Sequence, residues 1–143
     1  LRIWGNTLQA LAEMEKGREA IALQLLERET PVIRWPVLYS PAYSLAFARF
    51  LRAELLHRLG RDEEAVNWYR SLTEFFIHDI PYRAPALLRM AEIYESWGRP
   101  EEARQNYEHF LLLWRECDPE FRPMAAAAGV RLNELEQRHL TRR

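Results

Sequence analysis

Two stretches decide the fold. Ala46–Thr73 reads AFARFLRAELLHRLGRDEEAVNWYRSLT and Ala84–Leu111 reads APALLRMAEIYESWGRPEEARQNYEHFL. Laid over one another at a shift of 38 residues they agree at ten of 28 positions, where average composition predicts about two. The agreements are ordered. Ala53 meets Ala91, Gly60 meets Gly98 and Arg61 meets Arg99, and then Glu63, Glu64, Ala65 and Tyr69 meet Glu101, Glu102, Ala103 and Tyr107. Within each copy the apolar residues recur three or four apart, as in Leu87, Met90, Ala91, Tyr94 and Trp97 and again in Ala103, Tyr107, Phe110, Leu111 and Trp114. That spacing predicts two amphipathic helices per copy. Gly60 or Gly98 divides them, a residue able to take the left-handed conformation that closes a helix, and a connection this short forces antiparallel neighbours. The small residues then fall where two helix backbones approach, with Tyr69 and Tyr107 filling the wider space beside them.

Outward from this pair the pattern weakens. Thr7–Lys16 and Arg18–Arg28 read as two further helices about Gly17, in a degenerate repeat over residues 1–30 with a shorter turn and no signature. Residues 31–41 carry Pro31, Pro36 and Pro41, which cannot share one regular helix, and form a linker bearing Trp35 and Tyr39. Ser40-Pro41 is a start signal for the longest first helix, expected over Pro41–Leu59. Repeats over 41–78 and 82–117 follow. Asp118-Pro119 starts a last helix over 118–140 with an apolar stripe of Met124, Ala128, Leu132 and Leu135, which would cover the end of the stack.

These residues resemble the tetratricopeptide repeat family, whose small-Gly-Ala-aromatic spacing recurs as Ala-Glu-Leu-Leu-x3-Gly-Arg-x-Glu-Glu-Ala-x3-Tyr and Ala-Glu-Ile-Tyr-x3-Gly-Arg-x-Glu-Glu-Ala-x3-Tyr. The departures are Arg49 and Arg52 at places that usually take larger apolar residues, and a period longer than the usual one. The resemblance implies an all-α chain of residues 1–143 as one domain, a right-handed solenoid of about three helical hairpins plus a C-terminal capping helix. It also implies a non-catalytic scaffold that binds a peptide or partner protein, or another copy of the chain, in a concave groove. The groove positions carried over are Phe47, Phe50, Glu54, His57 and Arg58 about Gly60, and Pro85, Leu88, Glu92, Glu95 and Ser96 about Gly98. Members that clamp a terminal carboxylate use Lys, Asn and Arg at several of these places. With Phe50, Leu88, Glu54 and Glu92 there, an apolar side chain with a basic neighbour is the better match. Trp35, Tyr39 and Tyr43 are a secondary patch.

Leu1 in place of Met, with helical text almost at once, reads as a piece of a longer protein. The run Phe110–Trp114 before Asp118-Pro119 resembles repeat segments appended to bacterial regulators such as kinases. A ligand-sensing or self-association segment of a larger signalling protein, a kinase or a transcription regulator, is therefore the alternative function.

Composition limits other classes. The chain has 143 residues, 48% hydrophobic and 29% charged, enough for a buried core. Twenty Lys and Arg against twenty-one Asp and Glu leave a net charge of -1, so no overall field gathers nucleic acid or acidic lipid. The lone Cys117, with no apolar run of membrane length, reads as cytoplasmic. His57, His78, His109 and His139 lack metal-ligand spacing, the glycines at 5, 17, 60, 98 and 129 form no phosphate loop, and Glu63-Glu64 and Glu101-Glu102 serve helix dipoles. No cofactor, metal or catalytic set is expected, and the basic tail Arg138, His139, Arg142 and Arg143 reads as solvated.

Overall fold

The computed structural model describes residues 2–28, 45–74 and 77–140. The chain is all-α, and no strand occurs among the described residues. Its helices are α1 (Arg2–Glu15), α2 (Glu19–Glu27), α3 (Ala46–Arg58), α4 (Asp62–Arg70), α5 (Ile80–Ser96), α6 (Pro100–Leu113) and α7 (Arg122–Leu140). Single 3-10 turns at Ile77–Asp79 and Pro119–Phe121 precede α5 and α7. Two compact units divide at Tyr82 and Arg83.

In unit 1, α1 pairs with α2, α3 pairs with α4, and α3 also packs on α2. In unit 2, α6 packs on α7, and the hydroxyl of Tyr107 on α6 donates to Glu95 on α5 at 3.1 Å.

One turn is used three times. Gly60 N–H donates to His57 O at 2.9 Å and Arg61 N–H to Leu56 O at 2.9 Å; Gly98 and Arg99 repeat this onto Glu95 O and Tyr94 O at 3.0 and 2.9 Å. Gly17 and Arg18 do the same onto Met14 O and Glu13 O, both at 2.9 Å. These are the paired bonds of a Schellman cap, which requires a left-handed residue, and φ is 70° at Gly17, 73° at Gly60 and 67° at Gly98. The first hairpin therefore has the same three-residue turn as the others, and the shorter turn expected for it is corrected.

The alanines of the signature are also present in it. Counted from the glycine, Ala10, Ala53 and Ala91 share one position and Ala22, Ala65 and Ala103 another, and all six are 0% exposed. The third signature place, Tyr69 and Tyr107, is taken by the buried Leu26. A Cβ with no free surface has no room for a larger side chain, so these positions keep Ala where neighbouring identities drift. Changing Ala22 to Leu should cost about 1 to 3 kcal/mol through overpacking, as should Ala103 to Leu in the strongest repeat. Urea melts of the two variants check this; an unchanged Ala22→Leu midpoint would remove the first hairpin from the series.

Three features differ from the sequence reading. Leu45 sits at a φ of 50°, so α3 starts at Ala46, and a helix running unbroken from Pro41 is corrected. Residues 41–44 lie outside the described residues. The longest first helix is α5, with 17 residues against 13 in α3. On α7, Ala128 and Leu135 are buried and Leu132 half-buried, but Met124 is 46% exposed and leaves the expected stripe.

The two arginines that departed from the apolar pattern have partners. Arg49 donates to Ser71 O at 2.9 Å and Ser71 Oγ at 3.2 Å, at the end of α4, and pairs with Asp79. Asp79 is 1% exposed, so one guanidinium ties the end of α4 to the turn before α5. Arg52 lies over the Trp68 ring at 4.4 Å and pairs with Glu27 at 3.5 Å, covering the α3–α4 contact with its stem.

Candidate functional site

On α3, Phe47, Phe50, Glu54, His57 and Arg58 follow the three-and-four spacing of one helix face. Their surroundings differ from one end of the face to the other. Phe47 and Phe50 are half-buried: Phe50 meets Tyr69 edge-on at 5.9 Å between ring centroids and Tyr82 at 5.5 Å, and Phe47 meets Tyr82 at 6.2 Å. Such spacings are those of favourable aromatic pairs, so the two phenylalanines are fixed as a rigid apolar platform within unit 1. Burial pushes the Tyr82 hydroxyl up from its ordinary range, which keeps it neutral beside them.

Polar groups continue the face. The Tyr69 hydroxyl donates to Glu54 at 2.6 Å, His57 Nδ1 lies 2.6 Å from Asp62, and Arg58 approaches Glu19 at 4.0 Å.

On α5, Leu88 is buried at 8% exposure, and Glu92, half-buried, accepts from Arg89 at 2.9 Å. Glu95 accepts from Tyr107 and pairs with Arg131 of α7 at 3.0 Å. Pro85 is half-buried inside the helix, and the Ser96 hydroxyl donates to Ile93 O at 2.8 Å.

The equivalent tyrosines therefore choose different carboxylates. Tyr69 takes the glutamate six residues before its glycine, and Tyr107 the one three residues before. Local chemistry explains the change. In unit 1 that nearer place is His57, already held by Asp62; in unit 2 the residue matching Asp62 is Pro100, which has no acceptor, and Glu95 in its place is drawn in by Arg131. Tyr107 is held far above its usual range, first by burial and then by the Glu95 charge.

Sequence reading did not find Tyr82, Tyr69 or Arg49 as the supports of this face. The signal available was the pair of arginines on an apolar register, which required buried partners somewhere. Trp35, Tyr39 and Tyr43 lie outside the described residues. Among the described residues no group of His, Cys, Asp and Glu could hold a metal ion, and no helix is long and apolar enough to cross a membrane.

Residues 84–113 match the tetratricopeptide repeat family. No curated protein and no solved structure matches the chain. The matched stretch begins on α5 at Ala84 and ends at Leu113, the last residue of α6, so it coincides with the hairpin about Gly98. With its glycine turn, its two zero-exposure alanines and its buried tyrosine in the family's places, that hairpin is a tetratricopeptide repeat, and the helical hairpins about Gly17 and Gly60 share its glycine turn and its buried alanines.

Proposed function

We propose that this chain is a non-catalytic protein-protein interaction module, taking a peptide or a partner protein on the face of its first helices. The supporting observation is the tetratricopeptide repeat at residues 84–113, since repeats of this family generally mediate protein-protein contact. The residues assigned to the contact are Phe47, Phe50, Glu54, His57 and Arg58 on α3, and Leu88, Glu92 and Glu95 on α5.

The chemistry favours one kind of ligand. The phenylalanines are half-buried against Tyr69 and Tyr82, so they offer ring faces already fixed in place and an apolar side chain can be added without ordering them. A carboxylate follows them on the same helix at Glu54 and α5 carries another at Glu92, which suits a Lys or Arg next to that apolar residue. The Tyr82 ring meets those of both Phe47 and Phe50, which supports a peptide laid across them over a small molecule enclosed among them. A cytoplasmic site for this work is part of the proposal, on the evidence of the lone cysteine.

An array of short extended peptides tests the reading. Peptides pairing an apolar residue with Lys or Arg should be retained, and Glu92→Lys should weaken them about tenfold or more, close to 1.4 kcal/mol. Glu54→Gln keeps an acceptor for Tyr69 while removing the charge, so it should weaken the same peptides without lowering the melting temperature. Retention without that pairing, or unchanged binding to both variants, would count against the assignment.

A further inference from the structure

α7 repeats the register of the earlier first helices and breaks it at a telling place. Ala128, 2% exposed, matches Ala53 and Ala91. Three residues further on, α3 has Leu56 and α5 has Tyr94, at 1% and 7% exposure, while α7 has Arg131. The arginine does not fill a core. Its Nη2 pairs with Glu95 Oε1 on α5 at 3.0 Å and its Nη1 with Glu134 at 3.2 Å, while the Tyr107 hydroxyl donates to the other oxygen of Glu95. The Glu95 side chain is 13% exposed and that of Arg131 50%, so the carboxylate is covered by a guanidinium that itself stands half in water. Glu95 is among the residues assigned above to the ligand contact. The basic group it calls for is therefore already supplied from within the chain.

We propose that this contact is autoinhibitory: Arg131 occupies Glu95 as a competitor in cis, and an arginine of the peptide ligand opens the α5 end of the face by taking its place. The assignment rests on the peptide contact proposed above, and adds which base is read there and what holds its place. The exchange is balanced in charge. One guanidinium replaces another over Glu95 and Glu134, and Glu134 keeps Arg138 at 3.6 Å throughout. The bond given up has a half-exposed partner, and ion pairs of that kind are worth little in water, so a ligand anchored by its apolar residue can displace it. The place is shaped for arginine over lysine, because two nitrogens of one plane reach two carboxylates, which a compact ammonium reaches one at a time. On α3 the same register holds His57, paired with Asp62 of its own hairpin, so the control acts on the α5 part of the face.

The probes are two labelled decapeptides of Gly and Ser, one carrying a single Leu-Arg pair and the other Leu-Lys, titrated with the full chain by fluorescence anisotropy. Arg131→Gln should bind the arginine peptide about fivefold more tightly than the wild type does, the upper end of what an ion pair of this class is worth, and the lysine peptide should gain by a smaller factor. Arg131→Lys, which keeps the charge and loses the planar fork, should fall between the two proteins. Adding Glu95→Gln to Arg131→Gln should abolish the gain. Tighter binding on loss of an ion pair is a readout that a merely structural contact would not give. If Arg131→Gln and Arg131→Lys bind the arginine peptide no more tightly while Glu92→Lys still weakens it, the competitor is overturned and the peptide contact stands. If neither peptide binds the wild type or Arg131→Gln, both fall. Equal gains for the two peptides would overturn the assignment of arginine.

Discussion

Replacing Arg49 with alanine should lower the stability of the chain by about 3 to 5 kcal/mol, the range found when one partner of a buried ion pair is removed. The size follows from what the substitution leaves behind. Asp79 is 1% exposed, and its Oδ2 has no hydrogen-bond partner, so Arg49 on Oδ1 supplies the compensation for a charge taken out of water. The same guanidinium satisfies the Ser71 carbonyl at the end of α4, and that acceptor would lose its donor at the same time. Arg49→Lys should recover only part of the loss, because a single ammonium cannot reproduce a planar fork aimed at Ser71 and Asp79 together. Replacing both partners with apolar residues, Arg49→Met with Asp79→Leu, should cost less than Arg49→Ala alone, since no charge then remains buried. Urea melts of the four proteins measure this. A loss below about 1 kcal/mol for Arg49→Ala would put the pair in the class of exposed ion pairs and remove its role in tying the turn before α5 to α4.

That tie was hidden in the sequence for a physical reason. Arg49 and Asp79 are thirty residues apart, and no period relates them; only the geometry of α3, α4 and the following turn brings them together. The hairpins were legible because their marks are backbone requirements. A left-handed φ admits glycine at little cost, and a crossing with no free surface admits alanine, so Gly60, Gly98 and the alanines around them persist. The first hairpin has the same marks at Ala10, Gly17 and Ala22, but Gly17 lies 43 residues before Gly60, against 38 between Gly60 and Gly98. A comparison at one fixed shift slides past it, because the linker between α2 and α3 adds length without altering either hairpin.

The face on α3 was legible in the same partial way. Helical spacing groups Phe47, Phe50, Glu54, His57 and Arg58, but it does not say what each side chain meets. Tyr69 and Tyr107 occupy one register position and still bond to glutamates three residues apart in register, because Asp62 in one hairpin is Pro100 in the other and Arg131 reaches Glu95 from α7. Repeats conserve the positions where backbones must approach, while the polar contacts over those positions are set by whichever neighbours each hairpin has.

Phe110→Ala should have an effect of similar size for a different reason, about 3 to 5 kcal/mol from a lost aromatic side chain and the cavity it leaves. Phe110 is 0% exposed, and its ring meets Trp114 at 4.9 Å; Trp114 in turn meets Phe121 at 5.1 Å, in the 3-10 turn that leads into α7. The three rings form a row from the last turn of α6 to the turn before α7. Removing the first leaves Trp114 without one of its two aromatic neighbours, so the loss should extend from the α6 core to the placement of α7. Phe121 is 39% exposed and stands at the outer end of the row, and Phe121→Ala should therefore cost clearly less than Phe110→Ala. For a chain of this length the larger loss corresponds to a melting temperature lower by roughly 10 to 15 °C. Thermal melts followed by circular dichroism, with tryptophan emission as a second probe of Trp114, measure it. Equal losses from the two substitutions would show that the stack acts at its exposed end, and α7 would then be held by Arg131 and Ala128 in place of the aromatic row.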